Sequence, residues 1–144
     1  MFEVNNCRLI ELPTIQDGID GTISIAESSK HIPFDVKRVY YVYNLANQTA
    51  IRGKHAHKEL EQVLVCISGS FMLHLDDGRK QQDFLVFKPN VGIYLGIDLW
   101  HTMTSFSSNC IFFVLASDFY KESDYIRDYN EFLKYVTTKG ILGI

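Results

Sequence analysis

Arg52-Gly53-Lys54-His55-Ala56-His57-Lys58-Glu59-Leu60-Glu61-Gln62, followed by Val63-Leu64-Val65-Cys66-Ile67, is the stretch whose reading decides the fold. The second half is an apolar, β-branched run short enough for a strand. If the first half is also extended, side chains two apart share a face. His55 and His57 then point together, either into a cavity or into water. Arg52 and Gly53 precede them, and Glu61 and Gln62 crowd further polar groups against the apolar run.

Working outward, short strand-like runs recur between turn residues. Val36 to Tyr43 is rich in β-branched and aromatic residues, and Asn44 to Thr49 is a polar connection to the histidines. Leu64 to Ile67 and Phe71 to Leu75 flank the turn Ser68-Gly69-Ser70. Leu75-Asp76-Asp77-Gly78-Arg79 is a hairpin signal, because Asp-Gly suits a tight turn with positive φ. Phe84 to Phe87, Gly92 to Leu95 and Cys110 to Ala116 complete the series, the last two joined through Trp100-His101 and Ser107-Ser108-Asn109. Near the N-terminus, turn signals lie between Thr14 and Gly21, and Thr22 to Ala26 alternates. This spacing predicts an all-β sandwich or barrel. One C-terminal helix is predicted from an N-cap at Ser123, with an apolar stripe at Tyr125, Ile126, Tyr129, Phe132, Leu133 and Val136 and an end at Gly140.

Composition bounds the function. A chain of 144 residues, 47% hydrophobic and 22% charged, reads as one globular domain spanning 1–144. A net charge of −3 gives no electrostatic case for nucleic acid. No apolar run approaches the length needed to span a bilayer, and no signal peptide is visible, so a cytoplasmic location without membrane contact is expected. Cys7, Cys66 and Cys110 read as buried free thiols of a reducing compartment.

The histidine pair has three readings. The first is solvated surface, which the crowding of polar groups beside the most apolar run weighs against. The second is a metal site using His55, His57, Glu61 and His101, the ligand pattern of metal-binding cupins, with imidazole and carboxylate donors suited to Fe, Mn, Ni or Zn. The third is metal-free acid–base chemistry. Each ring can hold or lend a proton near neutral pH, having an ordinary pKa of about 6.5. Arg52 nearby suits a phosphate or carboxylate.

Lys37-Arg38-Val39-Tyr40-Tyr41, the segment Arg52 to Val63, Leu75-Asp76-Asp77-Gly78, Trp100-His101 and Leu115-Ala116-Ser117-Asp118-Phe119-Tyr120 together resemble the thymidine diphosphate sugar 3,4-ketoisomerases. The likeness runs from about Ile19 to Tyr135. Arg-Gly-x-His also resembles the dTDP-4-dehydrorhamnose 3,5-epimerases, which lack the counterpart of His57. The resemblance implies a cupin fold, a jelly-roll-like antiparallel barrel, in a homodimer that exchanges N-terminal strands. It implies dTDP-4-dehydro-6-deoxy-glucose as substrate and migration of the keto group from C4 to C3 with no metal or organic cofactor. The product would feed an aminotransferase making a 3-amino-3,6-dideoxyhexose for a surface polysaccharide such as O-antigen, or an S-layer glycan. His55 and His57 are the acid–base pair on this reading. Arg52 is the candidate for the pyrophosphate, Tyr41 for the sugar or enediolate, and Gln62, Asp98 and His101 for the cavity wall. His101 after Trp100 fits the type that forms the galacto product; the gluco type carries arginine there. Asp20 fits neither type, and Lys54 replaces an apolar aromatic. Rival readings are an epimerase, the metal-dependent cupin and a non-catalytic sugar-nucleotide binding module.

Overall fold

The computed structural model describes residues 2–46 and 49–143. Asn47 and Gln48, within the polar connection ahead of the histidines, lie outside the described residues, as do Met1 and Ile144. Among the described residues, twelve strands and one α-helix follow in chain order: β1 Cys7–Glu11, β2 Thr14–Gln16, β3 Thr22–Ser24, β4 Arg38–Val42, β5 Arg52–His57, β6 Gln62–Ser68, β7 Phe71–Asp76, β8 Gln81–Val86, β9 Val91–Leu95, β10 Trp100–Thr104, β11 Ile111–Ala116, β12 Tyr125–Ile126 and α1 Tyr129–Leu142.

The strands form two antiparallel five-stranded sheets, β1-β9-β6-β11-β4 and β12-β5-β10-β7-β8, with β2 and β3 as a separate hairpin. This is the expected all-β, jelly-roll-like cupin architecture. Alternation explains how the sheets face each other. Leu64 and Cys66 of β6 and Phe112 and Val114 of β11 meet Phe71, Leu73 and Leu75 of β7 and Met103 of β10 in one buried cluster. The other side of β6, Val63 and Val65, is covered by Ile10, Leu12, Ile32 and Phe34. Burial on both faces is why this stretch reads as a continuous apolar run rather than an alternating one.

α1 begins later than the sequence pattern predicts. Ser123 lies in a 3-10 turn, Glu122–Asp124, and Tyr125 and Ile126 pair with His57 and Ala56 as a strand. The N-cap is Asp128, whose side chain accepts the Glu131 N–H at 2.9 Å. Gly140 stays within the helix, and Gly143 at φ 69° takes the left-handed C-cap. Ala56 and Ile126 are sealed under Phe132 of this helix. Trp100-His101, expected as a link, starts strand β10. Trp100 packs against Tyr129 and Phe132, outside the barrel. All three cysteines are free, Cys66 and Cys110 buried and Cys7 half-buried. Burial pushes the Cys66 and Cys7 thiols up to about 12, so they stay protonated and unreactive. No helix among the described residues is long and apolar enough to cross a membrane.

Candidate active site

The apolar interior stops short of one end of the barrel. There the inward positions of β4, β5, β6 and β10 carry Tyr40, His55, His57, Gln62 and His101. Their placement depends on a local irregularity. Gly53 at φ 81° and Lys54 at φ 60° kink β5, and the register with β10 shifts between His101 and Thr102. A Cβ on Gly53 would lie 2.7 Å from the His101 carbonyl oxygen, so glycine is required for the approach. The kink leaves His55 opposite His101 across the strand pair.

The three imidazoles converge. Ring centroids are 5.0 Å apart for His55 and His57, 4.8 Å for His55 and His101, and 6.0 Å for His57 and His101. His57 and His101 are almost fully buried. Tyr125 covers the pair, its ring 4.4 Å from His57 and 5.0 Å from His55. The rings are therefore not on open surface. Burial, helped by the neighbouring rings and the Arg127 charge, pulls His55 down to about 2. Burial and the His57 ring hold His101 at about 3. His57 is also lowered by burial, but the Asp124 carboxylate opposes that shift. His57 Nδ1 lies 2.9 Å from Asp124 Oδ2, while its Nε2 is buried with no protein partner. The His55 Nδ1 is likewise unpartnered. Buried polar atoms without a partner are costly, about 1–3 kcal/mol each, so water or a bound molecule must supply partners here.

The remaining expected residues divide. Gln62 faces the cavity and donates to the Tyr40 hydroxyl at 3.1 Å. Arg52 is exposed at the start of β5, near enough for its charge to favour the Tyr40 phenolate, although burial keeps the Tyr40 pKa raised. Tyr41 is a correction. It is exposed on the outer face of β4, stacked on Phe113, and its neighbour Tyr40 is the tyrosine that faces inward. Asp98 is divided: its Oδ2 accepts from Lys139 Nζ on the helix at 2.6 Å, while its Oδ1 is buried with no protein partner. Glu61 is also outside. It accepts the Tyr94 hydroxyl at 2.5 Å, so the four-residue ligand set His55, His57, Glu61 and His101 is not assembled. Among the described residues, it is the three histidines that bring potential donor atoms within 4.8 Å of one another.

Sequence reading missed Asp124, Tyr125, Tyr40, Arg38 and Arg127. Arg38 faces inward beside the Tyr40 ring, and its Nε is buried without a partner. Arg127 lies over the Tyr125 ring at 4.2 Å and donates two hydrogen bonds to the Glu122 carboxylate. These residues form a cationic, aromatic rim around buried neutral imidazoles. The rim suits an anion, and the rings suit exchange of protons with the group attached to it.

A jelly-roll barrel with this interior is a cupin-type enzyme. A family described as "FdtA: WxcM-like, C-terminal" matches residues 5–137. TDP-4-oxo-6-deoxy-alpha-D-glucose-3,4-oxoisomerase of Aneurinibacillus thermoaerophilus is 50% identical over 116 residues, 81% of this chain and 83% of that protein. The WlaRB TDP-quinovose 3,4-ketoisomerase from Campylobacter jejuni is 41% identical, with a TM-score of 0.86, over 91% of this chain and 99% of that one. A histidine-to-asparagine mutant of the 3,4-ketoisomerase QdtA from Thermoanaerobacterium thermosaccharolyticum, in complex with TDP-4-keto-6-deoxyglucose, is 35% identical with a TM-score of 0.90, over 94% and 97%. The chain belongs to the FdtA family, the TDP-sugar 3,4-ketoisomerases.

Proposed function

We propose that this chain converts dTDP-4-dehydro-6-deoxy-D-glucose into its 3-keto isomer by proton transfer alone. The observation that carries the reading is the convergence of His55 and His57, neutral and with open ring nitrogens, inside a cationic rim. The C4 carbonyl acidifies the proton on C3. An imidazole removes that proton, giving an enediolate across C3 and C4. A proton is delivered to C4, the C3 hydroxyl loses its proton, and the carbonyl re-forms at C3. No electrons enter or leave, so the balance requires no redox partner. General acid–base steps of this kind contribute about 10²- to 10⁴-fold. Arg52, Arg38 and Arg127 are the diphosphate candidates, and the nucleotide's binding energy holds the sugar in register.

The product is the galacto epimer on this proposal, supported by His101, which lies beside His55 on the cavity wall. The 41% identity to an enzyme named for TDP-quinovose, a 6-deoxyglucose derivative, favours a gluco product as the second reading. A 3-keto sugar of either type is a substrate for an aminotransferase.

The functional unit is a homodimer in the cytoplasm. What supports the dimer is the β2–β3 hairpin, which exposes Ile15, Ile19 and Ile23, the apolar side chains a second copy would cover. Sedimentation of Ile15→Glu/Ile23→Glu as a monomer, against a wild-type dimer, is the expected result. A monomeric wild type would remove the dimer.

Incubation of the purified chain with the 4-keto substrate in D₂O, followed by NMR, tests the activity. A 3-keto sugar carrying deuterium at C4, with coupling constants that report the C4 configuration, is expected. A carbonyl that stays at C4 while C3 or C5 exchanges would mean an epimerase. Loss of turnover to a chelator, with stoichiometric bound metal, would mean the metal-dependent reading. Binding without any exchange would leave a sugar-nucleotide binding module.

A further inference from the structure

We infer that Asp124 is the positioning residue of the histidine pair: it fixes His57 with its proton on Nδ1, turns the basic Nε2 into the cavity, and balances the charge His57 gains when Nε2 takes a proton from the substrate. The substrate half of this inference rests on the proposed function; the tautomer half does not.

The geometry is specific. A carboxylate only accepts hydrogen bonds, so the 2.9 Å contact makes His57 Nδ1 the donor. The neutral ring is then obliged to carry its lone pair on Nε2, the buried atom with no protein partner. Asp124 is itself immobilised. Its Oδ1 accepts the Glu59 N–H at 2.6 Å, and its Oδ2 also accepts the Leu60 N–H at 3.3 Å. Its backbone carbonyl accepts the Lys58 N–H at 3.0 Å, and its own N–H donates to Lys121 at 3.1 Å. The turn after β5 and the segment before β12 are thus locked together around one buried side chain.

Among the three rings only His57 has this support. The His101 Nδ1 lies 3.3 Å from a backbone carbonyl, that of Leu99, and the His55 Nδ1 has no partner. An oriented carboxylate behind an imidazole sets its tautomer and stabilises the imidazolium without itself taking the proton. The proton enters and leaves through Nε2. The Nδ1 proton stays with His57 throughout, and Asp124 ends each turnover as it began.

The test uses ¹⁵N-histidine NMR on wild type and Asp124→Asn, together with steady-state kinetics. Asparagine keeps an acceptor for the Glu59 N–H but presents an amide N–H₂ to Nδ1, which forces the opposite tautomer. The expected result is Nδ1–H on His57 in wild type, Nε2–H in Asp124→Asn, and kcat lower by about 10²- to 10⁴-fold with KM within about threefold. A merely structural role would lower thermal stability and the active fraction and leave the tautomer unchanged. Nε2–H on His57 in the wild type would overturn the inference, as would full kcat in a folded Asp124→Asn. If the chain fails to turn over the keto sugar, the proposed function falls and the wild-type tautomer still decides this inference. The same spectrum decides it if the variant does not fold.

Discussion

The two faces of β5 are built from opposite materials. Its inner face presents His55 and His57 to the barrel interior. Its outer face presents Ala56, fully buried beneath Ile126 and Phe132. Elsewhere in the same barrel the order is the usual one, with Leu73, Leu75, Phe112 and Val114 inside. At the site end the apolar seal has moved to the outside, where α1 supplies it, and the interior is given over to groups that cost stability. The difference teaches that the imidazoles are not part of what holds the fold. They are tolerated because the helix and the apolar end of the barrel hold it for them.

The largest expected effect comes from breaking the inner face alone. His57→Asn and His55→Asn should each lower kcat by about 10²- to 10⁴-fold, read from turnover of the keto sugar in D₂O. The unfolding free energy of His55→Asn should stay within about 1 kcal/mol of wild type, whereas His57→Asn also disturbs the hydrogen bond to Asp124 and should cost about 1–3 kcal/mol. A larger fall in stability in either variant would mean that the rings are structural after all. Breaking the outer face should give the reverse pattern. Phe132→Ala empties a fully buried site against Trp100, Tyr129 and Ala56 and should cost about 3–5 kcal/mol in urea unfolding. The kcat per folded molecule should stay within about threefold.

The same two faces show what a sequence displays and what it hides. The histidine pair was legible because a two-residue period depends on nothing but extended backbone. The barrel was legible because turn residues punctuate the chain. Tyr40 and Tyr41 were ambiguous for a physical reason: adjacent aromatics place one ring on each face, and only the pairing of β4 with β11 decides which is inside. Glu61 follows the turn that ends β5, so the strand's alternation no longer governs it. Ser123 to Ile126 has helical spacing, yet the free edge of β5 captures Tyr125 and Ile126 as a strand. Asp124 could not be seen at all. It is 67 residues from His57, and no local pattern links them.

A smaller effect should appear with pH. His55 and His101 have folded-state pKa values of about 2 and about 3, below the 6.5 of the free ring. Between those values the unfolded chain binds protons that the folded chain refuses. Stability is therefore complete above about pH 6.5 and is lost progressively as pH falls below it. From about pH 7 to about pH 5.5 the two rings together should remove about 2 kcal/mol, measured by urea unfolding at each pH. In the double variant His55→Asn/His101→Asn this part of the decline should flatten. An unchanged slope would mean that the rings carry charge in the folded barrel, and that the inner face is better solvated than its burial implies.

The smallest effect sharpens where the inner face ends. Asp98 lies one residue before Leu99 in the turn entering β10, and its N–H donates to the His57 carbonyl at 2.9 Å. One carboxylate oxygen, Oδ2, is nevertheless held by Lys139 on α1, while Oδ1 is buried with no protein partner. Asp98→Asn should keep the turn, because asparagine accepts the left-handed φ of 59° as readily as aspartate does. It weakens one ion pair, in which both partners are partly exposed, so the cost should be no more than about 1 kcal/mol. If the ion pair with the outer seal is the main role of this side chain, activity should change by less than about twofold. A loss of kcat/KM beyond about tenfold in a stable Asp98→Asn would assign this side chain to the cavity and move the boundary between the two faces past the end of β5.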